Sequence, residues 1–332
     1  MRIVAALLAL MAGLAHAQAP APSPPDEVPL RELDTVVVTG VQPGPGLWKV
    51  RKGDHTLWIL GTLSPLPRDF EWLSRDVEAV IAQADEVIAP PRGSVDADVG
   101  FFRRLTLLPS MLKVRNNPHG ATLQDVVPPA TYGRWLTLKA RYLGRDGGIE
   151  KRRPIFAASE LYEAAIRRTG LSLEDVVGPV VRRATKQRGL KPTEVRIEVK
   201  VEDPRGALRE LSGTRLNDLE CFEKTLQRIE RDLDTMRERA NAWAVGDVET
   251  LRALPATNQY EACMAAITDS GLAQRLGFAD LRQRLEAAWL AQAQRSLERN
   301  AVTFATLPMS YLLRADGALD RLRALGYEIE EP

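Results

Sequence analysis

From Leu219 to Trp243 the chain places an apolar residue at every third or fourth position: Leu219, Phe222, Leu226, Ile229, Leu233, Met236, Ala240 and Trp243. Because an α-helix turns once in about 3.6 residues, spacings of 3 and 4 align these side chains on one face. The other face carries Arg228, Glu230, Arg231, Asp232, Arg237 and Glu238. Taken as one uninterrupted helix, the segment would extend roughly 40 Å at 1.5 Å per residue. A helix of that kind has one side to cover and one to leave in water, so it reads as a packing seam inside a domain. A dimeric coiled coil would need a longer run with charges that select a partner.

Strand patterns flank it on both sides. Leu47 to Arg51 runs into a Lys52-Gly53-Asp54 turn and returns as His55 to Leu60, an apolar hairpin. Leu73, Val77, Val80, Ile81 and Ala84 mark a helix begun at Ser74, and Glu86 to Ala89 is a short buried strand broken by Pro90-Pro91. Helical patterns follow at about 96–114, 129–144, 155–169 and 173–188, the last two stopped by Gly170 and Gly189. Between 193 and 201, Val195, Ile197, Val199 and Val201 alternate with Glu194, Arg196, Glu198 and Lys200, which predicts a half-buried strand. The chain ends with a helix at about 279–299, a strand at Val302–Thr306, a helix from Asp316 to Leu325 and a final strand at Tyr327-Glu328-Ile329. The predicted fold class is α+β.

The first residues do not belong to that fold. Met1-Arg2, an apolar run from Ile3 to Leu14 and Ala15-His16-Ala17 match a secretory signal peptide over residues 1–17, cleaved after Ala17. The expected location is therefore exported, and periplasmic in a Gram-negative host; an uncleaved anchor is the alternative. Residues 18–45 form a Pro/Ala-rich tether, and the folded domain is expected over 46–332. Within the tether, residues 32–40, Glu-Leu-Asp-Thr-Val-Val-Val-Thr-Gly, resemble the TonB box of outer-membrane receptors, and the plainer alternative is a β-prone linker or edge strand. The 45 Lys and Arg are balanced by 44 Asp and Glu, which gives no basic excess for nucleic acid. No segment after the leader reaches the roughly 20 apolar residues of a membrane helix. Cys221 and Cys263, the chain's two cysteines, predict a disulfide in an oxidising compartment, with two buried thiols as the alternative.

Several local patterns together resemble the TraB/GumN family, which is related to the Tiki-type metallopeptidases. They are Leu47-Trp48-Lys49-Val50 with Leu60-Gly61-Thr62, Trp243-x-x-Gly246-Asp247 after a long helix, and Asp316-Gly317-Ala318-Leu319 with Leu322 to Glu330. The resemblance runs from about Leu47 to Glu330. It implies a small mixed sheet built from the N- and C-terminal halves, covered by helices, with the long amphipathic helix alongside. It also implies a hydrolase-like site in which two Gly-x-x-His motifs, with acidic and Arg residues, hold a divalent metal that activates water.

At these positions the chain departs from the family. The first motif reads Gly61-Thr62-Leu63-Ser64 and the second Leu307-Pro308-Met309-Ser310, so serine stands at both histidine positions. Pro90 occupies the place of an expected Glu, and the Arg-Asn-x-x-Trp helix motif is reduced to Leu285-Glu286-Ala287-Ala288-Trp289. Glu198, after Ile197, resembles the family's surviving acid. His55 and His119, the histidines outside the leader, sit in turn or loop contexts. A serine nucleophile needs a positioned base, and Lys49 and Lys52 lie across the hairpin from Ser64. Otherwise Ser64 and Ser310 are small polar groups lining an old cleft, or caps of the helices that follow them.

The leading expectation is an exported binding or envelope-associated module without catalysis, metal or cofactor, its residual cleft open to a peptide or glycan ligand. One alternative is a hydrolase rebuilt from Glu198, Ser64 and Ser310, and another is a TonB-contacting adaptor working through residues 32–40.

Overall fold

The computed structural model describes residues 42–96, 101–254 and 259–332. The predicted signal peptide, the TonB-box-like segment and most of the tether lie outside the described residues.

The hairpin forms as the apolar pattern dictates. Leu47–Lys52 (β1) pairs antiparallel with His55–Thr62 (β2), from Leu47 opposite Leu60 to Lys52 opposite His55. Gly53 takes φ +60° in the tight turn, a backbone region that side chains resist. Leu66–Pro67 (β3) follows, and the Arg75–Gln83 helix starts after Ser74, whose hydroxyl donates to Glu78. Glu86–Ile88 (β4), Arg92–Asp96 (β5), Leu171–Ser172 (β6), Arg196–Lys200 (β7), Val302–Pro308 (β8) and Glu328–Glu330 (β9) complete the strands.

The main sheet has the order β4-β8-β2-β1-β9, with β4, β8 and β2 mutually parallel and β2-β1-β9 antiparallel. It is a mixed sheet joining the two ends of the chain, covered by helices: an α+β fold. The interior strand β8, flanked by β4 and β2 in parallel, is buried from Thr303 to Leu307 without alternation, as expected of a parallel strand covered on both faces. Two short pairs, β3 with β6 and β5 with β7, lie outside the main sheet. Along β7 and its flanks, Val195, Val199 and Val201 are buried while Arg196, Glu198 and Lys200 are exposed, the predicted alternation.

Among the described residues two main hydrophobic cores result, accompanied by two smaller clusters. One is built on the sheet, around Trp48, Leu57, Ile59, Phe304, Trp243 and Trp289. The other is helical, around Leu123, Trp135, Leu161, Phe222, Leu226 and Ile229.

The stripe that reads as one helix crosses between these cores, and there the structure departs from the expectation. It forms two helices, Leu219–Arg231 of 13 residues and Leu233–Ala244 of 12, separated at Asp232 with φ −111° and ψ 6°. Asp232 belongs to both ends: its N–H closes the first helix on the Arg228 carbonyl at 3.0 Å, and its carbonyl opens the second by accepting from the Met236 N–H at 2.9 Å. Phe222, Leu226 and Ile229 bury in the helical core, whereas Ala240 and Trp243 bury in the sheet core. The two halves cover different cores, and aspartate, a weak helix former, tolerates the bend between them.

Arg153 anchors the helical half. It is 1 % exposed. Its Nε donates to the Val114 carbonyl at 2.7 Å, Nη1 to Thr214 at 2.7 Å and Nη2 to Leu211 at 2.5 Å. Those carbonyls end the Phe101–Val114 and Pro204–Gly213 helices, so one guanidinium caps both. Asp218, which accepts from the Ile155 N–H at 3.0 Å, supplies the countercharge.

Candidate functional site

The register of β2 and β8 brings the segments carrying Ser64 and Ser310 together. Gly61 lies opposite Leu307 and Thr62 opposite Pro308 in the parallel pair, and the Thr62 hydroxyl donates to the Leu307 carbonyl at 3.3 Å. Ser64 is two residues beyond Thr62, and Ser310 two beyond Pro308. Equal steps past paired residues deliver both serines to the carboxyl ends of neighbouring parallel strands, where open α/β sheets commonly present ligand sites. Both line one cavity of about 670 Å³.

Gly61 sets how closely these ends approach. A Cβ there would collide with Met309 Sδ and press on Trp48 and Leu312. Its carbonyl accepts a 2.8 Å bond from Trp243 Nε1, in the motif that closes the second half of the long stripe. Gly246, with φ +73°, ends that helix, and Asp247 caps the Val248–Ala253 helix by accepting from the Thr250 N–H at 2.9 Å.

The opposite wall comes from the helix pair. Arg228, Asp232, Thr235 and Arg239, together with Met236, face the cavity. Arg228 and Asp232 thus line the cavity rather than sit on a purely solvated outer face. Their spacing of 4, 3 and 4 is itself a helical stripe, a polar one running beside the apolar one. That signal was present in the sequence.

The wall is electrostatically tense. Burial lifts the Asp232 carboxyl above its ordinary range, and Arg228 and Arg231 pull only partly against it. Asp232 Oδ2 is buried with no hydrogen-bond partner among the described residues. Burial, and then the charge of Arg228, lowers the Arg239 guanidinium, which donates one N–H to the Leu254 carbonyl at 3.1 Å. Arg228 lies over the Tyr162 ring at 5.3 Å, and burial raises that phenol. At the rim, Asp175 is committed to the start of the Gly178–Arg188 helix, where Oδ1 accepts from the Gly178 N–H at 2.7 Å.

Cys263 also reaches this cavity, and it forms the predicted disulfide with Cys221. The bond ties the Gln259–Thr268 helix to the Leu219–Arg231 helix across a separation of 42 residues. Closing a loop of that size stabilises the fold by about 4 kcal/mol in the chain-entropy account.

The other sequence candidates lie elsewhere. Pro90 is exposed where the chain leaves β4 for β5, and Glu198 is exposed on β7, 4.0 Å from Arg196; neither lines the cavity. His55 opens β2 and His119 lines a different, smaller cavity. Ser64 and Ser310 do not act as helix caps: Pro308 is the cap of the Met309–Leu313 helix, and β3 follows Ser64. Neither hydroxyl has a hydrogen-bonded base among the described residues. Of the residual helix motif, Trp289 is fully buried and Glu286 is 6 % exposed, paired with Arg314 at 2.7 Å.

A divalent metal of the kind the resemblance implies does not fit this donor set. The two serines offer neutral hydroxyls, Cys263 is held in its disulfide, Asp175 is committed to a helix start, and the remaining carboxylates, Glu174 and Asp232, share the cavity with the guanidiniums of Arg228 and Arg239, which would repel a cation. Among the described residues no group of three or more His, Cys, Asp or Glu is placed to hold a metal ion. No described helix is long and apolar enough to cross a membrane.

No curated protein and no solved structure matches the chain. A model of the TraB/PrgY/gumN family matches residues 46–331, from the residue before β1 to the residue after β9. The chain belongs to the TraB/PrgY/gumN family.

Proposed function

We propose that this chain is an exported family member that binds a peptide or glycan ligand without turning it over, acting as a binding or envelope-associated module. The observation that carries this reading is that Ser64 and Ser310, at the two histidine positions of the motifs, line one cavity together with two guanidiniums. The space for a ligand persists, while the groups that would activate water at a metal are replaced by groups that donate hydrogen bonds. Arg239, Thr235 and the serines suit carbonyl and hydroxyl oxygens of either ligand class, and the Asp232 carboxylate at the cavity wall suits an amide or hydroxyl donor.

The test is metal analysis and a peptidase assay on the mature protein, with and without added Zn²⁺, Mn²⁺ or Co²⁺, beside a binding screen of envelope peptides and oligosaccharides. The expected result is saturable binding weakened by Arg239→Gln, with no metal-dependent turnover. Stoichiometric bound metal with metal-dependent hydrolysis would sink the proposal.

A hydrolytic reading has one observation in its favour: Asp232, a carboxyl raised by burial, shares the cavity with both serines. It would run through Asp232 rather than the remote Glu198, and metal-independent turnover abolished by Asp232→Asn would establish it. Export is tested by the amino terminus of the mature protein, expected at Gln18. A TonB-contacting role is tested by deleting residues 32–40 and measuring TonB co-purification.

A further inference from the structure

A second cavity, of about 290 Å³, lies where the segment after the Phe101–Val114 helix meets the segment before the Pro154–Arg168 helix. Lys113, Asn116, His119 and Lys151 line it, with Asn117 and Ser212, and none of its lining residues is acidic. The side chains of Lys113, His119 and Lys151 make no ion pair or hydrogen bond among the described residues. Charge of the opposite sign nearby is already committed. Glu160 is shared by Arg115 at 2.7 Å and Arg152 at 3.6 Å, and Asp218 faces the buried Arg153. The neighbourhood therefore has more guanidinium and ammonium groups than carboxylates to balance them.

The walls are held in place. Asn116 and Arg152 form an antiparallel bridge, Asn117 N–H donates to the Lys151 carbonyl at 2.9 Å, and Asn117 Nδ2 donates to the Arg152 carbonyl at 2.8 Å. Arg152 Nη1 donates to Asn116 Oδ1 at 3.1 Å, which leaves the Asn116 amide nitrogen as a donor. Arg153, anchored between two helix ends, fixes the segment that follows the short Gly148–Lys151 3-10 turn and so holds Lys151. His119 adopts φ +57°, a left-handed conformation that non-glycine residues take at a small cost where the surroundings hold it. The result is a small concave surface of converging donors with unneutralised positive charge.

We propose that this cavity is a binding site for a phosphate-type oxyanion, separate from the serine-lined cavity and independent of the function proposed for it. A tetrahedral dianion accepts several hydrogen bonds at once, and Lys113, Lys151, His119 and the Asn116 amide are the donors that would meet it. The volume accommodates a phosphoryl group with a few attached atoms. Its source is either a soluble phosphate or phosphomonoester, or the headgroup of an anionic phospholipid.

The test is titration calorimetry of the full mature chain with inorganic phosphate against chloride at matched ionic strength, together with co-sedimentation on phosphatidylglycerol and phosphatidylcholine vesicles. Saturable phosphate binding is expected, weakened roughly tenfold or more in Lys113→Gln/Lys151→Gln, the loss expected of two charge-assisted hydrogen bonds. Arg188→Gln/Lys191→Gln, which removes exposed cations outside the cavity, is expected to leave binding unchanged. Lys113 and Lys151 are exposed, so an unaltered melting temperature is expected to accompany the loss; the single variants serve if the double one is destabilised. Recruitment to phosphatidylglycerol but not phosphatidylcholine vesicles, reversed by inorganic phosphate, assigns the headgroup source; phosphate binding without recruitment assigns the soluble one. The proposal is overturned if neither phosphate nor anionic vesicles bind saturably, or if both double variants weaken binding equally.

Discussion

The indole Nε1 of Trp243 donates a 2.8 Å hydrogen bond to the carbonyl of Gly61, joining residues 182 positions apart in the chain. One ends the helix pair that forms a wall of the cavity; the other opens the motif that delivers Ser64 to it. The bond is buried, and Trp243 also packs its ring 5.7 Å from Phe70 and 6.4 Å from Trp72. It couples the helical wall of the candidate site directly to the sheet.

Replacing Trp243 with Phe keeps an aromatic ring and removes the donor. A buried carbonyl losing its partner costs about 1–3 kcal/mol. Urea denaturation at neutral pH is expected to show that loss, and near-UV circular dichroism to show altered aromatic packing. An unchanged midpoint would mean that the bond contributes nothing net.

Gly61→Ala inserts a methyl group against Met309, Trp48 and Leu312. Overpacking of this kind costs about 1–3 kcal/mol. Because the worst collision is with a flexible thioether, Met309→Ala in the same chain is expected to restore part of the loss. A double-mutant cycle measures the coupling, and additivity of the two changes would count against the contact.

Arg153→Met leaves the carbonyls of Val114, Leu211 and Thr214 without their donor and Asp218 without its countercharge. Breaking a buried charged network by removing one partner costs about 3–5 kcal/mol. Arg153→Lys, a point charge rather than a fork, is expected to recover only part of it in chemical denaturation.

Glu86 in β4 links the sheet to the Leu281–Arg299 helix and the turn after it, accepting from Gln292 Nε2 at 2.8 Å, Ser296 Oγ at 2.7 Å and Asn300 Nδ2 at 2.7 Å. Burial pushes its carboxyl up, but these bonds and one from Thr193 outweigh burial and leave it below its ordinary value. Its stabilising contribution is thus present above the ordinary glutamate value of about 4.3 and is lost as pH falls through the lower folded value. Glu86→Gln is expected to destabilise the protein at pH 7 by about 1–2 kcal/mol, allowing for partial exposure. That difference should shrink in denaturation curves taken below about pH 4.

Much of the architecture was legible because local periodicity and burial agree. The hairpin, the alternation along β7, the helix stops at Gly170 and Gly189 and the disulfide follow from patterns that the tertiary structure preserves. The helix break at Asp232 was not legible, because the apolar spacing runs through it unchanged. What forces the bend is that the stripe serves two cores, a fact of assembly rather than of sequence.

The candidate site divides the same way. The two serine positions could be read from the motifs, since each follows a strand by a fixed step. Pro90 and Glu198 looked equivalent to them in sequence but stand apart, because the chain turns toward β5 and because β7 pairs outside the main sheet. Arg228 and Asp232 looked like ordinary charges on a wet helix face, and Arg239 carried no expectation.

By itself the sequence determined the hairpin, the alternation along β7 and most of the helical faces, and it placed Cys221 and Cys263 as a candidate pair and Ser64 and Ser310 just beyond two strands. Tertiary structure alone decided that the parallel register of β2 and β8 brings those serines into one cavity, which the charged residues of a helix pair also line. The physical reason is that periodicity encodes which face of an element is buried, whereas strand register and the bend at Asp232 depend on how distant segments share a core.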